Sequence, residues 1–323
     1  MPDYAFFKES LVTIYSEPNT FFTDAPEKSA ISDETCYGQI CRILSEEGDY
    51  AKVVMDIGYV GYAPKGQLLQ IRETDAVEAL KAQRFTVTAA CADVMNIPSV
   101  TGIRLLTLHA GAILEMLPWE PEREPANGWS HVALLDGRTG YIPTKFLEAI
   151  RYDETTVFRF NGTGNFDEAA AGEWNAGETP IEKLRFACLK NYWDNDEMNF
   201  RMGLCDIAKR YLGTQYRWGG RSGAGIDCSG LVSTAYRRCG IHIYRDAKIV
   251  EGWPMHQISL ENAKPGDALY FPGHIALYLG DGSYIHSTAR AGSNGVVINS
   301  LNPEAPDYRE DLVKSLYAVG TIF

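Results

Sequence analysis

The sequence predicts a multidomain chain: two small all-β half-open barrels followed by an α+β domain that carries the chemistry. Three observations predict it. A pattern of one aromatic, alternating apolar residues and Gly-aromatic-x-Pro occurs twice before residue 150. A glycine-rich loop ends at Asp227-Cys228, where an amphipathic pattern begins. Two histidines, His274 and His286, then lie on a strand-turn-strand pattern.

Composition sets the bounds. A chain of 323 residues has room for two or three domains at roughly 150 residues each. Hydrophobic residues make up 45% and charged residues 22%, enough apolar surface to offset the entropy of ordering a globular chain. The net charge of −12 repels nucleic-acid phosphates and anionic lipid, so neither is an expected partner. No apolar run approaches the roughly 20 residues of a membrane helix. The start, Met1-Pro2-Asp3-Tyr4-Ala5-Phe6-Phe7-Lys8-Glu9, lacks the basic end and apolar core of a signal peptide. The seven cysteines are odd in number and contain no CxxC, which reads as reduced thiols. A cytoplasmic protein is expected.

The repeat comes first along the chain. Tyr50, Val53, Gly61, Tyr62 and Pro64 recur at one constant offset as Trp129, Val132, Gly140, Tyr141 and Pro143. Val12-Thr13-Ile14-Tyr15 is echoed upstream of the second copy by Val94-Met95-Asn96-Ile97. Each copy reads as short strands of β-branched and aromatic residues broken by Gly, Asp and Pro turns. The glycine is expected to bend the chain sharply, and the proline to sit where no ladder donor is needed. These copies set domains at 1–80 and 81–152, with Pro118 to Pro125 a solvated insert. Residues 153–195 read as a linker and helical connector, with helical spacing from Ile181. A helix is expected from Phe200 to Leu212 on the spacing of Met202, Leu204, Ile207, Ala208 and Tyr211. Residues 196–323 form the third, α+β domain.

The chemistry lies there. Asp227 is a good N-cap, a helix fits 228–239, and Gly240 suits its C-cap. Cys228 then falls in the first helical turn, where unpaired N–H groups and the dipole are expected to lower the thiol pKa. A cysteine nucleophile needs a base, and the base an orienting partner. A two-residue Asp281-Gly282 turn would pair Leu277 with His286 and put His274 on the opposite face. A three-residue loop, with Gly282 left-handed, pairs Ala276 with His286 and brings His274 diagonally onto the same face. The second register is predicted: His274 takes the proton from Cys228, and His286 fixes its tautomer and orientation. Cys228, His274 and His286 are also zinc-ligand types, but no short-spaced pair accompanies them, so neither metal nor cofactor is expected.

Asp227-Cys228-Ser229-Gly230, preceded by Tyr216-x-Trp218-Gly219-Gly220 and followed by Gly273-His274-Ile275-Ala276-Leu277-Tyr278-Leu279-Gly280 and His286, resembles the NlpC/P60 cysteine peptidases of bacterial cell-wall turnover. The resemblance covers about residues 196–323. The two repeats resemble bacterial SH3-like domains. Together they make the whole chain similar to γ-D-glutamyl-L-diamino acid endopeptidases of muropeptide recycling. The resemblance implies two SH3-like barrels and a papain-like α+β core with Cys228 as nucleophile, His274 as base and His286 as orienting residue. It also implies an oxyanion held by the Tyr216 hydroxyl and the Cys228 N–H, donors worth about 3 kcal/mol each. Asp227, Ser229 and Trp218 would contact substrate. Arg245-Asp246 matches a further family pair, with Arg245 a ligand for the substrate carboxylate; the serine that often follows is Ala247 here. The first SH3-like domain would limit the enzyme to short peptides with a free L-Ala amine. Tyr59 is the candidate wall, and Asp33 or Glu34 the acidic partner of that amine. The implied activity is hydrolysis of the γ-D-Glu–L-diamino acid bond, to Lys or meso-diaminopimelate, in short peptidoglycan-derived peptides. The alternatives are an acyltransferase or amidase using the same site, or a cell-wall-binding protein with an inactive catalytic domain. The sequence leaves the oligomeric state open.

Overall fold

The computed structural model describes residues 4–18, 30–55, 59–119, 128–153, 159–160, 166–167, 185–188, 196–239, 241–251 and 253–323. The chain divides into two compact units, 1–152 with 222–224, and 153–221 with 225–323.

In the first unit the repeat is visible strand by strand. Strands β1 (Tyr4–Phe7), β2 (Leu11–Tyr15), β3 (Ile31–Cys36), β4 (Ile40–Glu47), β5 (Tyr50–Met55), β6 (Val60–Pro64) and β7 (Leu68–Ile71) form an antiparallel sheet in the order β3-β2-β6-β5-β4-β1-β7. After helix α1 (Glu73–Lys81) come β8 (Arg84–Val87), β9 (Cys91–Met95), β10 (Arg104–His109), β11 (Ile113–Met116), β12 (Trp129–Ala133), β13 (Thr139–Pro143) and β14 (Leu147–Asp153). Their order, β10-β9-β13-β12-β11-β8-β14, is the same topology again. The anchor residues hold equivalent rungs: Tyr50 faces Pro64 and Val53 faces Gly61, as Trp129 faces Pro143 and Val132 faces Gly140.

Two expectations change here. The repeated glycine does not bend the chain. A Cβ on Gly61 would lie 2.9 Å from the Tyr15 carbonyl oxygen, and one on Gly140 2.9 Å from that of Met95, so glycine is needed because the neighbouring strand passes too close for a side chain. Nor does either sheet close: among the described residues no ladder joins β3 to β7 or β10 to β14. Each sheet instead wraps its own apolar core, with Phe7, Val12, Ile14, Val53 and Met55 in the first and Val94, Leu108, Leu114, Val132 and Ile142 in the second. The second core also takes in Cys36 and Tyr37 of the first repeat. The Tyr37 hydroxyl accepts the Leu135 N–H at 2.5 Å, and its carbonyl accepts the Ile113 N–H at 2.8 Å.

From residue 153 the described elements are short strands β15 (Arg159–Phe160), β16 (Phe166–Asp167) and β17 (Arg185–Cys188), helix α2 (Glu197–Lys209), two-residue strands β18 (Arg221–Ser222) and β19 (Gly225–Ile226), and helix α3 (Cys228–Arg238). Strands β20 (His256–Ile258), β21 (Ala268–Phe271), β22 (His274–Gly280), β23 (Ser283–Thr288) and β24 (Gly295–Ser300), helix α4 (Glu310–Ser315) and strand β25 (Ala318–Thr321) complete the chain. The helical spacing from Ile181 and the cap at Gly240 lie outside the described residues. Helix α2 starts earlier than its apolar spacing indicated because the Asp196 side chain accepts the N–H groups of Met198 and Asn199 and so fixes the first turn. The main sheet is antiparallel in the order β20-β25-β21-β22-β23-β24, and α2 and α3 pack against β22. Because α3 is buried along almost its whole length, its first residue is held firmly against the strands that carry both histidines.

Candidate active site

Cys228 is the first residue of α3 and is only 7% exposed. The Asp227 carboxylate caps the helix, its Oδ1 accepting the Gly230 N–H at 2.5 Å. Gly230 must lack a side chain because a Cβ there would collide with the Gly220 carbonyl oxygen. This contact lets the glycine loop lie directly over the start of the helix. The sulfur accepts N–H groups from Ser229 and from Ile275, which sets it against the main chain immediately after His274. The Tyr216 hydroxyl stands close enough for the sulfur's charge to push its pKa up, second only to burial.

The two imidazoles meet. His274 Nε2 and His286 Nδ1 are 2.7 Å apart, with the rings edge to face. Leu277 pairs with Ile285 and Tyr278 with Tyr284, the offset that aligns Ala276 with His286 and that the sequence predicts. The route to it differs. The turn has two residues, Asp281 and Gly282, both with positive φ, and a bulge between Tyr278 and Gly280 supplies the one-residue shift that a longer loop was expected to give. His286 Nε2 lies 2.8 Å from Asn299 Oδ1 on β24. Sequence reasoning missed Asn299. Its only signal was a polar residue ending the run Val296-Val297-Ile298, with no motif around it.

The electrostatics overturn one expectation. The thiol pKa does not fall. Burial, and then the Asp227 carboxylate, push Cys228 up to about 11 against the pull of the two N–H groups and Arg245. Burial, and then His286, push His274 down to about 3, while burial lowers His286 to about 4. Desolvation outweighs the helix terminus, which favours a thiol beside neutral imidazoles.

Around the sulfur, Arg245 takes a different position from the one expected. It is 4% exposed and forms a bidentate pair with Asp227, at 3.1 Å from Nη1 and 2.9 Å from Nη2. Nη1 also donates to the Ser229 hydroxyl at 2.6 Å. In this structure Arg245 therefore positions Asp227 and Ser229 and does not present a bare guanidinium to a carboxylate. Asp246 is exposed, Ala247 is half-buried, and Trp218 is 60% exposed beside the glycine loop. The structure thus gathers Cys228, Tyr216, Asp227, Ser229, His274 and His286 in one unit. Tyr59, Asp33 and Glu34 belong to the N-terminal unit. There Tyr59 packs on the first core and donates to the Ser32 carbonyl at 3.5 Å, and both acids are buried on β3.

Comparison with known proteins finds relatives of this chain. The NlpC/P60 family matches residues 213–313. Across 97% of this chain and 97% of the relative, the sequence is 32% identical to dipeptidyl-peptidase 6 of Lysinibacillus sphaericus. It is 36% identical to the γ-D-glutamyl-L-lysine dipeptidyl-peptidase of Bacillus cereus over 33% of each chain. The fold is similar to the crystal structure of an NlpC/P60 family protein from Bacillus cereus, with a TM-score of 0.69, 20% identity and 98% of each chain covered. A thiol at a helix start, two bonded imidazoles and relatives of this kind lead to one conclusion: the chain belongs to the NlpC/P60 family of cysteine peptidases.

Proposed function

We propose that this peptidase hydrolyses the amide between the γ-carboxyl of D-Glu and an L-diamino acid, Lys or meso-diaminopimelate, in short peptidoglycan-derived peptides with a free N-terminal L-Ala. The observation that carries the reading is the 2.7 Å bond between His274 and His286 beside a sulfur lodged at the Ile275 N–H. The names of the relatives supply the substrate class. In the mechanism, Cys228 sulfur attacks the γ-carbonyl as its proton passes to His274 Nδ1. The Tyr216 hydroxyl and the Cys228 N–H receive the developing oxyanion. The C–N bond breaks, and the amine leaves with the proton from His274. Water, deprotonated by His274, then attacks the thioester and releases the Glu γ-carboxylate.

The N-terminal sheets are proposed to be SH3-like modules at 1–80 and 81–152, joined by 153–195 to the catalytic domain at 196–323, in a cytoplasmic recycling enzyme. A panel of tri- and tetrapeptides with free or acetylated L-Ala tests the specificity. Cleavage of the free-amine peptides and loss on acetylation support the reading; indifference to acetylation refutes it. Transfer of the acyl group to a labelled amine in preference to water would mark an acyltransferase instead.

A further inference from the structure

His286 has a partner on each ring nitrogen, and one arrangement of protons satisfies both. Asn299 Nδ2 donates to the Asp307 carbonyl at 2.7 Å. A carbonyl only accepts, so the amide's NH₂ must face Asp307 and its oxygen must face His286. That oxygen also only accepts, so the His286 proton belongs on Nε2, 2.8 Å away. A neutral imidazole carries one proton, which leaves His286 Nδ1 as an acceptor for His274 Nε2–H at 2.7 Å. The His274 lone pair is then on Nδ1, the ring nitrogen nearest its own main chain. The sulfur of Cys228 sits at that main chain, on the Ile275 N–H.

We propose that Asn299 is a positioning residue whose amide, oriented by the Asp307 carbonyl, fixes the tautomers of both histidines and so aims the basic nitrogen of His274 at Cys228. The proposal rests on the reading of Cys228 and His274 as the reacting pair. The hydrogen bonds of the two rings run to each other and to Asn299. The rings of Tyr284 and Phe271 lie 5.3 Å from His286 and 5.8 Å from His274. The charges that reach both imidazoles are Arg309 and Asp311, which are paired with each other at 2.6 Å. His286 itself is completely buried. When the thiol proton moves to His274 Nδ1, the protons on His274 Nε2, His286 Nε2 and Asn299 Nδ2 stay where they are.

The test is long-range proton–nitrogen NMR on the full chain with ¹⁵N-labelled histidine, which distinguishes protonated from lone-pair ring nitrogens, together with kinetics on L-Ala-γ-D-Glu-L-Lys. In the unsubstituted protein both His274 and His286 are expected to carry the proton on Nε2. In Asn299→Leu, His286 gains an Nδ1–H population and kcat falls by about 10²-fold, the scale of a misplaced general base, with KM unchanged. Asn299→Asp keeps an acceptor at the same place. It is expected to restore the Nε2–H tautomer and most of kcat, with the acidic limb of the pH profile moved to higher pH. An Nδ1–H on either ring of the unsubstituted protein would overturn the proposal, even if Asn299→Leu failed to fold. So would unchanged tautomers and kcat in a folded Asn299→Leu. Retained turnover in Cys228→Ala would instead remove the reacting pair while leaving the tautomer readout to decide the role of Asn299.

Discussion

Cys228 is placed by a helix but governed by burial. The helix terminus offers N–H groups to a thiolate, yet desolvation and the adjacent Asp227 raise the thiol to about 11. A group whose pKa is raised stays protonated at neutral pH, so the iodoacetamide rate at pH 6 should be slow and rise about tenfold per pH unit toward 11. A rate that is already flat at pH 6 would mean a preformed thiolate. Tyr216 belongs to the same scale. Its hydroxyl feels the charge of the sulfur and is proposed as an oxyanion donor, so Tyr216→Phe should lower kcat by about 10²-fold with little change in KM, equivalent to about 3 kcal/mol. An unchanged kcat would remove Tyr216 from the oxyanion site. The residues legible in the sequence were those whose chemistry is tied to local context: Cys228 after its cap, and two histidines on one hairpin. Asn299 and the inward turn of Arg245 were not legible, since each depends on a partner far along the chain.

At the scale of elements, α2, α3 and the β22–β23 hairpin hold the site. The register of the hairpin was readable because only one pairing puts both histidines on one face. The bulge that achieves it was not, since a bulge and a longer loop produce the same offset. Helix α2 is tied to the sheet by Arg201, which is 2% exposed, donates to fully buried Asp267 at 2.7 Å, and lies 3.9 Å over the Phe323 ring. Asp267 also accepts the Lys264 N–H at 2.8 Å and so shapes the entry to β21. Asp267→Ala should leave Arg201 with the partly exposed Glu197, 2.7 Å from its Nε, as its remaining carboxylate and cost about 2–3 kcal/mol of stability, measured by urea unfolding. A loss well under 1 kcal/mol would show that water reaches Arg201.

For the whole molecule, the repeat was legible as two copies of short strands, because Gly61 and Gly140 face Val53 and Val132 on equivalent rungs; the strand order within each sheet was not. Closure into barrels was not legible, since it depends on edge strands whose pairing no motif encodes. Acid sensitivity also belongs to this scale. His274 and His286 are lowered to about 3 and about 4 when folded, below the ordinary value near 6.5. The unfolded chain therefore binds more protons below pH 6.5, and stability should fall from there toward pH 4 and level off near 3. Thermal unfolding should show that slope in the unsubstituted protein and a shallower one in His286→Gln. Identical slopes would mean that the imidazoles are not held neutral.

The most direct measurement is the product analysis of L-Ala-γ-D-Glu-L-Lys incubated with the unsubstituted chain and with folded Cys228→Ala. The unsubstituted chain should release L-Ala-γ-D-Glu and free L-Lys, and Cys228→Ala should release neither. Either equal turnover by the variant or cleavage at a different bond would contradict the account.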